Sequence, residues 1–101
     1  MIKHIVWWTL ADEADGHTAQ ENALRIKEAG EKLYGKIDAL KSIEISALIQ
    51  PTTTLPAGVV LQSTHDDMEG LSAYANHPEH LKLGELIKKV VTSRQALDYE
   101  I

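Results

Sequence analysis

The segment YANHPEH, residues 74 to 80, places a tyrosine and two histidines around a single proline. Imidazole titrates close to physiological pH, so His80 can take a proton from a carbon beside a carbonyl group. The Tyr74 hydroxyl can donate a hydrogen bond to the oxyanion that develops, so these two are the candidate catalytic residues. The same segment is also typical of a helix boundary, at which His77 and His80 bond to backbone carbonyls. The sequence leaves both interpretations open.

A second group of candidates lies on the first predicted strand. His4 shares one face of that strand with Val6 and Trp8. A histidine on such an apolar face either lines a pocket or is a satisfied core residue. The candidate ligand-binding residues are therefore His4, His77 and Trp8.

Metal binding fits the histidines less well. His77 and His80 are separated by two residues, but a zinc site needs three or four ligands in fixed geometry. Nothing in the sequence fixes Asp66 or Asp67 beside them. The chain contains no cysteine, which excludes disulfides, thiolate nucleophiles and iron–sulfur ligation. We therefore expect neither a metal nor a cofactor.

The composition is that of one globular domain spanning residues 1–101. The formal net charge is −5 at pH 7, and no run of lysine or arginine offsets it, which argues against nucleic-acid binding. The first ten residues are apolar but too short to cross a bilayer. We expect a cytoplasmic protein with no nucleic-acid or membrane partner.

Hydrophobic periodicity predicts the elements that must position these side chains. β-branched and aromatic residues over 2–10 predict a strand. Thr18 and Glu21 form a capping box, and the apolar stripe behind it continues at helical spacing to Ile37. Gly30 within that stripe suggests a close approach of the helix to the sheet. Further strands are predicted at 42–49, 58–65 and 94–101, and helical segments at 68–75, capped by Asp66 or Asp67, and from Pro78 onwards.

The resulting order is βαββαβ, with the second helical region broken at Pro78. This order predicts an α+β fold of the ferredoxin-like type, with a four-stranded antiparallel sheet and helices on one face only. Because the first strand is apolar on both sides, the other face also needs a cover. The same face of a second subunit is the simplest cover, so we expect a homodimer with the two sheets packed together.

Four segments together resemble the stress-responsive A/B barrel family, often called Dabb: IKHIVWW, GKIDALKSIEI, YANHPEHLKLGELI and LDYEI. The similarity covers essentially the whole chain. It implies a ferredoxin-like α+β domain that dimerises into an α/β barrel.

The resemblance also implies roles for particular residues. One plant member of the family closes a linear polyketide by aldol condensation without a cofactor, and positions matching His80, Tyr74 and His4 help to form its active site. Two further active-site residues of that enzyme have no evident match. Its third-strand histidine falls near residues 59–60 of this chain, and its first-helix tyrosine is not matched because Tyr34 lies further along.

Two classes of function follow. The first is a small dimeric protein that binds an apolar or aromatic molecule between its sheet and helices. The second is a cofactor-independent enzyme of polyketide cyclase or monooxygenase-like type that uses His80 as general base. The sequence does not decide whether any reaction is catalysed.

Overall fold

The computed structural model describes residues 1–101 and contains one four-stranded sheet, one short hairpin and three helices. It confirms the predicted element order and adds the hairpin between the first strand and the first helix. In chain order the elements are β1 (Ile2–Leu10), β2 (Glu13–Ala14), β3 (His17–Thr18), α1 (Ala19–Glu31), β4 (Ser42–Ser46), β5 (Val59–His65), α2 (Met68–Asn76), α3 (Pro78–Val90) and β6 (Val91–Glu100).

The four long strands are arranged in the order β4-β5-β1-β6, and every neighbouring pair is antiparallel. This arrangement confirms the ferredoxin-like α+β fold. It also places β1 beside both β5 and β6, so that residues of β1 have a neighbour on each side. The site described below depends on that central position.

Strand β1 has one fully buried face and one half-buried face. The residues Ile2, His4, Val6 and Trp8 are buried, and the residues between them are half-buried. Alternate side chains of a strand point to opposite faces, so the buried set faces the helices. Ile5 and Trp7 therefore lie on the face that no helix covers.

The capping box at the start of α1 is confirmed. The Thr18 hydroxyl accepts a hydrogen bond from the Glu21 backbone N–H, and the Glu21 carboxylate accepts one from the Thr18 N–H. The helix ends at Glu31, earlier than the apolar stripe predicts. Leu33 and Ile37 are still buried, because tight turns with hydrogen bonds between residues three apart carry them inward.

Gly30 is the point at which α1 comes closest to the sheet. A Cβ atom at this position would lie 2.3 Å from Cδ1 of Ile45 on β4. The predicted close approach is therefore present, and it explains a glycine in a helix interior that otherwise costs about 1 kcal/mol relative to alanine.

Two strand boundaries differ from the prediction. The predicted strand at 42–49 ends at Ser46, because its last paired residue lies opposite Val60, almost at the beginning of β5. Beyond that pair β5 extends by only one residue, Val59. The last strand begins at Val91 rather than Arg94, directly after α3, because Leu10 of β1 pairs with it there.

The second helical region is broken at the predicted position. Asp67 caps α2, and its carboxylate accepts a hydrogen bond from the Gly70 N–H. His77 lies in an extended conformation between α2 and α3, and Pro78 occupies the first turn of α3. The break produces two consecutive helices, each with its own buried residues: Leu71 and Tyr74 in α2, and Leu83 and Val90 in α3.

The uncovered face of the sheet presents apolar side chains. Leu97 pairs with Ile5 in the register, and Trp7 pairs with Val60. Leu97 and Tyr99 on β6 remain 52% and 40% exposed. No helix of the chain combines the length and the hydrophobicity that crossing a bilayer requires.

Candidate functional site

A cavity of about 370 Å³ lies between the helix-facing side of the sheet and α3. Of the five residues predicted to form a site, four line it: His4 and Trp8 from β1, Tyr74 from α2 and His80 from α3. The apolar wall includes Val6, Leu61, Leu83 and Ile87. The volume falls within the range of small-molecule sites, roughly 300–1,000 Å³.

Tyr74 is the centre of an aromatic cluster beside this cavity. Its ring centroid lies 4.5 Å from that of His80, 4.8 Å from that of His65 and 6.4 Å from that of His4. The tyrosine occupies the last turn of α2 and His80 the first turn of α3, so the break between the helices turns the two rings toward each other.

Burial makes the Tyr74 phenol a proton donor at all physiological pH values. Desolvation raises the pKa of Tyr74 to about 12, because the phenolate would lose its hydration. The hydroxyl therefore stays protonated and can donate a hydrogen bond to an oxygen atom of a bound molecule. It cannot serve as a general base at neutral pH.

His80 is an imidazole that stays neutral in its site. Desolvation by burial is the main cause that lowers its pKa, and electrostatic interactions with His4, Arg94 and His65 act in the same direction. The Ala75 backbone opposes this fall, but it forms no well-aligned hydrogen bond, and the buried Nδ1 atom has no partner. A neutral imidazole of this kind can accept a proton from a bound molecule.

His4 is held by a carboxylate on the neighbouring strand. The two residues lie directly opposite each other in the β1–β6 register, and Nδ1 of His4 bonds to Oδ1 of Asp98. Because a carboxylate only accepts, Nδ1 carries the proton and Nε2 remains as the second ring nitrogen. A carboxylate in this position fixes the orientation of the imidazole.

His65 belongs to the cluster although the sequence assigned it no role. It is fully buried at the end of β5, where Nδ1 donates to the Ala39 carbonyl at 2.8 Å and Nε2 lies 2.9 Å from the Ser63 hydroxyl. Desolvation lowers its pKa, so the ring is neutral and the hydroxyl donates to Nε2. Val59, Leu61 and Ser63 occupy alternate, buried positions of β5, and this pattern could have predicted that His65 is buried as well.

The two remaining predicted residues, Trp8 and His77, lie in different surroundings. The indole N–H of Trp8 is buried and has no hydrogen-bond partner, so a cavity residue carries an unused donor. His77 does not line the cavity. Its Nδ1 accepts a hydrogen bond from the Glu79 N–H at 3.1 Å and caps α3. For His77 the structure thus favours the helix-boundary interpretation, whereas His80, three residues on, faces the cavity.

The cavity also has two charged residues that the sequence did not identify. Lys88 from α3 and Arg94 from β6 line it, and neither takes part in an ion pair of the chain. No aspartate or glutamate is among the lining residues. Only the tertiary structure brings these two positions together, since one belongs to a helix and the other to a strand.

No three histidine, aspartate or glutamate side chains are placed so that they could hold a metal ion. His77 and His80, the pair considered from the sequence, have separate tasks as cap and cavity residue. The cavity therefore offers two imidazoles, a phenol, an indole and two cations to an organic molecule.

A family model described as Stress responsive A/B Barrel Domain matches residues 2–101. No curated protein matches the sequence significantly. The sequence match thus extends over nearly the whole chain and names a family without naming a reaction.

Solved structures give the same fold. A dimeric protein of unknown function with a ferredoxin-like fold from Bacteroides fragilis is 28% identical, with 99% of this chain and 95% of that chain covered and a TM-score of 0.78. A dimeric ferredoxin-like protein of unknown function from Thermobifida fusca is 22% identical, with coverage of 99% and 90% and a TM-score of 0.81. A hydroxynitrile lyase from Passiflora edulis is 14% identical, with coverage of 99% and 92% and a TM-score of 0.77.

Proposed function

This chain belongs to the stress responsive A/B barrel domain family, and from that premise we propose that it binds an apolar or aromatic small molecule in the cavity between its sheet and helices. The convergence of His4, Trp8, Tyr74 and His80 on one cavity supports this proposal. Residues from three different elements meet there around a largely apolar wall, which is the usual composition of a ligand site.

Unused hydrogen-bonding groups strengthen the proposal. The two buried side-chain polar atoms without a partner are Nε1 of Trp8 and Nδ1 of His80, and both belong to residues that line the cavity. Buried polar groups without partners are uncommon because each one costs free energy on folding. A bound molecule with polar atoms, and small side-chain shifts on binding, would satisfy them.

Gly84 gives a direct test of the cavity. It lines the cavity from α3, and a Cβ atom there would meet nothing within 4 Å. Gly84→Leu should fill the space without disturbing the fold, and should weaken binding of 2-naphthoate or 2-naphthamide by at least about tenfold. Binding is measured from the indole N–H signal of Trp8 in ¹H–¹⁵N spectra, with that of Trp7, on the opposite face, as internal control.

Gly84→Ala is the matched control. It should raise the free energy of unfolding by about 0.5–1 kcal/mol, because alanine is the better helix former, and should leave binding nearly unchanged. If neither aromatic probe moves the Trp8 signal in the wild-type protein, the binding function is wrong. The same conclusion follows if Gly84→Leu binds both probes as well as Gly84→Ala does.

A cofactor-independent enzyme is the second candidate, with His80 as general base and Tyr74 as oxyanion donor. The observation that favours it is the 4.5 Å separation of the two rings, together with a lowered His80 pKa and a raised Tyr74 pKa. A neutral imidazole and a neutral phenol are the protonation states that proton removal beside a carbonyl requires. The monooxygenase-like form of this candidate rests on likeness of fold alone.

Exchange of the methyl protons of acetophenone with solvent deuterium tests the base directly. The wild-type protein should accelerate the exchange, and His80→Ala and Tyr74→Phe should each reduce the acceleration by roughly 100-fold. His17→Ala, on the β2–β3 hairpin outside the cavity, should retain it. Equal exchange rates with wild-type protein and with His80→Ala would rule out His80 as the base.

We also propose that the functional unit is a homodimer in which the uncovered sheet faces of two copies pack together. The exposed Leu97 and Tyr99 and the half-buried Ile5 and Trp7 on that face support this arrangement. Two solved relatives are described as dimeric. The cavity lies on the other side of the sheet, so each copy would keep its own site.

A further inference from the structure

The charge of the cavity differs in sign from the charge of the protein. The chain carries a formal net charge of −5, yet the charged residues that line the cavity are Lys88 and Arg94. Both are exposed, and neither has a carboxylate partner. Unpaired cations at the edge of an apolar cavity create a local positive potential in an otherwise acidic molecule.

A second depression on the surface provides the comparison. A groove of about 420 Å³ between α1 and α3 also contains lysine and arginine side chains. There, however, Arg25, Lys32 and Lys82 are each paired with a carboxylate, at 3.1, 3.2 and 3.4 Å respectively. Most cations of the groove are therefore paired with carboxylates, whereas both cations of the cavity have no carboxylate partner.

Arg94 lies close enough to the inner cluster to influence it. It is opposite Trp8 in the β1–β6 register, and its positive charge is among the causes that lower the pKa of His80. Its guanidinium therefore acts on the same space that His80 and Trp8 line. An anion bound at Arg94 would lie within reach of the rest of the site.

From these observations we propose that the cavity binds an apolar acid, with its aromatic or aliphatic body against Val6, Leu61 and Leu83 and its carboxylate at Arg94 and Lys88. A guanidinium presents a planar set of N–H donors that matches the two oxygens of a carboxylate. Lys88 adds a second charge from the facing helix. This inference rests on the proposed binding function and specifies the ligand class for the same site.

The test compares two probes of the same shape that differ in charge. 2-Naphthoate and 2-naphthamide carry the same ring system, but only the first is an anion at pH 7.5. Wild-type protein should bind 2-naphthoate about tenfold more tightly than 2-naphthamide, a difference of about 1.4 kcal/mol. Raising the salt concentration should weaken binding of the acid and leave binding of the amide nearly constant.

Substitutions assign that preference to the two cations. Arg94→Gln should remove most of the tenfold preference, and Lys88→Gln should reduce it, because each variant loses a charge that attracts the acid more strongly than the amide. Lys89→Gln is the matched control, because it removes the same charge from the next residue of α3, which does not line the cavity. Circular dichroism of each variant verifies that these exposed substitutions leave the fold intact.

The outcomes separate this inference from the function on which it rests. If the wild-type protein binds both probes equally, or if Arg94→Gln and Lys89→Gln have the same preference, the acid specificity is wrong and the cavity remains a binding site for neutral molecules. If neither probe binds, the binding function itself fails, and the acid specificity fails with it.

Discussion

At the scale of single residues, the three imidazoles around Tyr74 differ in how many of their nitrogens have partners. His65 has both nitrogens bonded inside the protein, His4 has Nδ1 bonded to Asp98, and Nδ1 of His80 has no partner. A fully bonded imidazole is part of the framework. His4 is held in one orientation through Nδ1, which leaves Nε2 available. Because Nδ1 of His80 has no partner, His80 is the imidazole best placed to form a hydrogen bond to a ligand.

Buried histidines make the stability of the protein depend on pH. Desolvation lowers the folded-state pKa values of His65 and His80, whereas the unfolded chain titrates near the ordinary value of 6.5. The unfolded state therefore takes up protons first as the pH falls. The free energy of unfolding should be highest above pH 6.5 and should decrease as the pH falls from there through the lowered pKa values.

Urea unfolding at several pH values between about 7.5 and 5 measures this effect, and His80→Gln should make the decrease smaller. Carboxylates contribute to the free energy of unfolding in a different pH range. Hydrogen bonds lower the pKa values of Asp15, Glu21 and Glu31 below 3.8, 4.5 and 4.5, so their contribution is lost only in more acidic solution. A wild-type profile that is flat from pH 7.5 to 5 would contradict the histidine assignment.

At the scale of elements, the break between α2 and α3 builds the site. His77 and Pro78 end one helix and begin the next, and the two helices bring Tyr74 and His80 to 4.5 Å between ring centroids. In one continuous helix, residues six apart would point in directions about 120° apart and stand about 9 Å apart along the axis. Pro78 thus marks a helix boundary, and the same break allows the rings of Tyr74 and His80 to approach each other.

The contact of α1 with β4 predicts a coupled pair of substitutions. Gly30→Ala gains about 1 kcal/mol of helix propensity but forces a methyl group against Cδ1 of Ile45, and overpacking of this kind costs about 1–3 kcal/mol. We expect a net loss of up to about 2 kcal/mol in the free energy of unfolding. Ile45→Val, which deletes Cδ1, should restore stability when combined with Gly30→Ala.

Urea unfolding of the wild type, both single variants and the double variant forms a double-mutant cycle for this contact. Alone, Ile45→Val should cost about 0.5–1.5 kcal/mol, because it leaves a space in the core. Additive effects of the two substitutions would show that the helix and the strand do not meet at these residues.

At the scale of the whole molecule, the sheet separates the cavity on its helix-facing side from the uncovered face on its other side. Trp8 faces the cavity, and its neighbour Trp7 faces the uncovered side. The alternation of the strand therefore places one indole at the cavity and the other on the face proposed to meet a second copy. The two signals can be followed separately in one spectrum.

Leu97→Glu should dissociate the proposed homodimer. Leu97 is 52% exposed beside Ile5 on the uncovered face, and a carboxylate there would be buried without a partner in a face-to-face dimer. Light scattering should change from twice the chain mass of 11.2 kDa to that mass alone. Leu24→Glu is the matched control, because Leu24 is similarly exposed, at 48%, on the outer helix α1.

A wild-type protein that is monomeric at micromolar concentration would contradict the dimer. The same holds if Leu24→Glu and Leu97→Glu have equal effects on mass. Binding to the cavity should survive Leu97→Glu, because the lining residues all come from one copy.

Much of the fold followed from local chemistry. The capping box at Thr18, the stop at Pro78 and the alternation of β1 each depend on residues close together in the chain, so their pattern was sufficient. The end of α1 and the end of β4 were misplaced by several residues, because apolar spacing continues through tight turns and past the last strand pair.

The candidate site was predictable only in part. His4, Trp8, Tyr74 and His80 were found from residue type and family resemblance, and the structure brings them to one cavity. The partners of these residues were not found. Asp98 reaches His4 only through the strand register, across 94 residues of chain, and nothing in either segment alone specifies that pairing.

The sequence by itself therefore determined the order of the main elements and the residue types available for chemistry, since periodicity and caps act over a few residues. Only the tertiary structure decided which side chains share the cavity, which imidazole nitrogens have partners and that Lys88 and Arg94 both line the cavity. Those outcomes depend on strand register and helix crossing, which are set by the packing of the whole core rather than by neighbours in the chain.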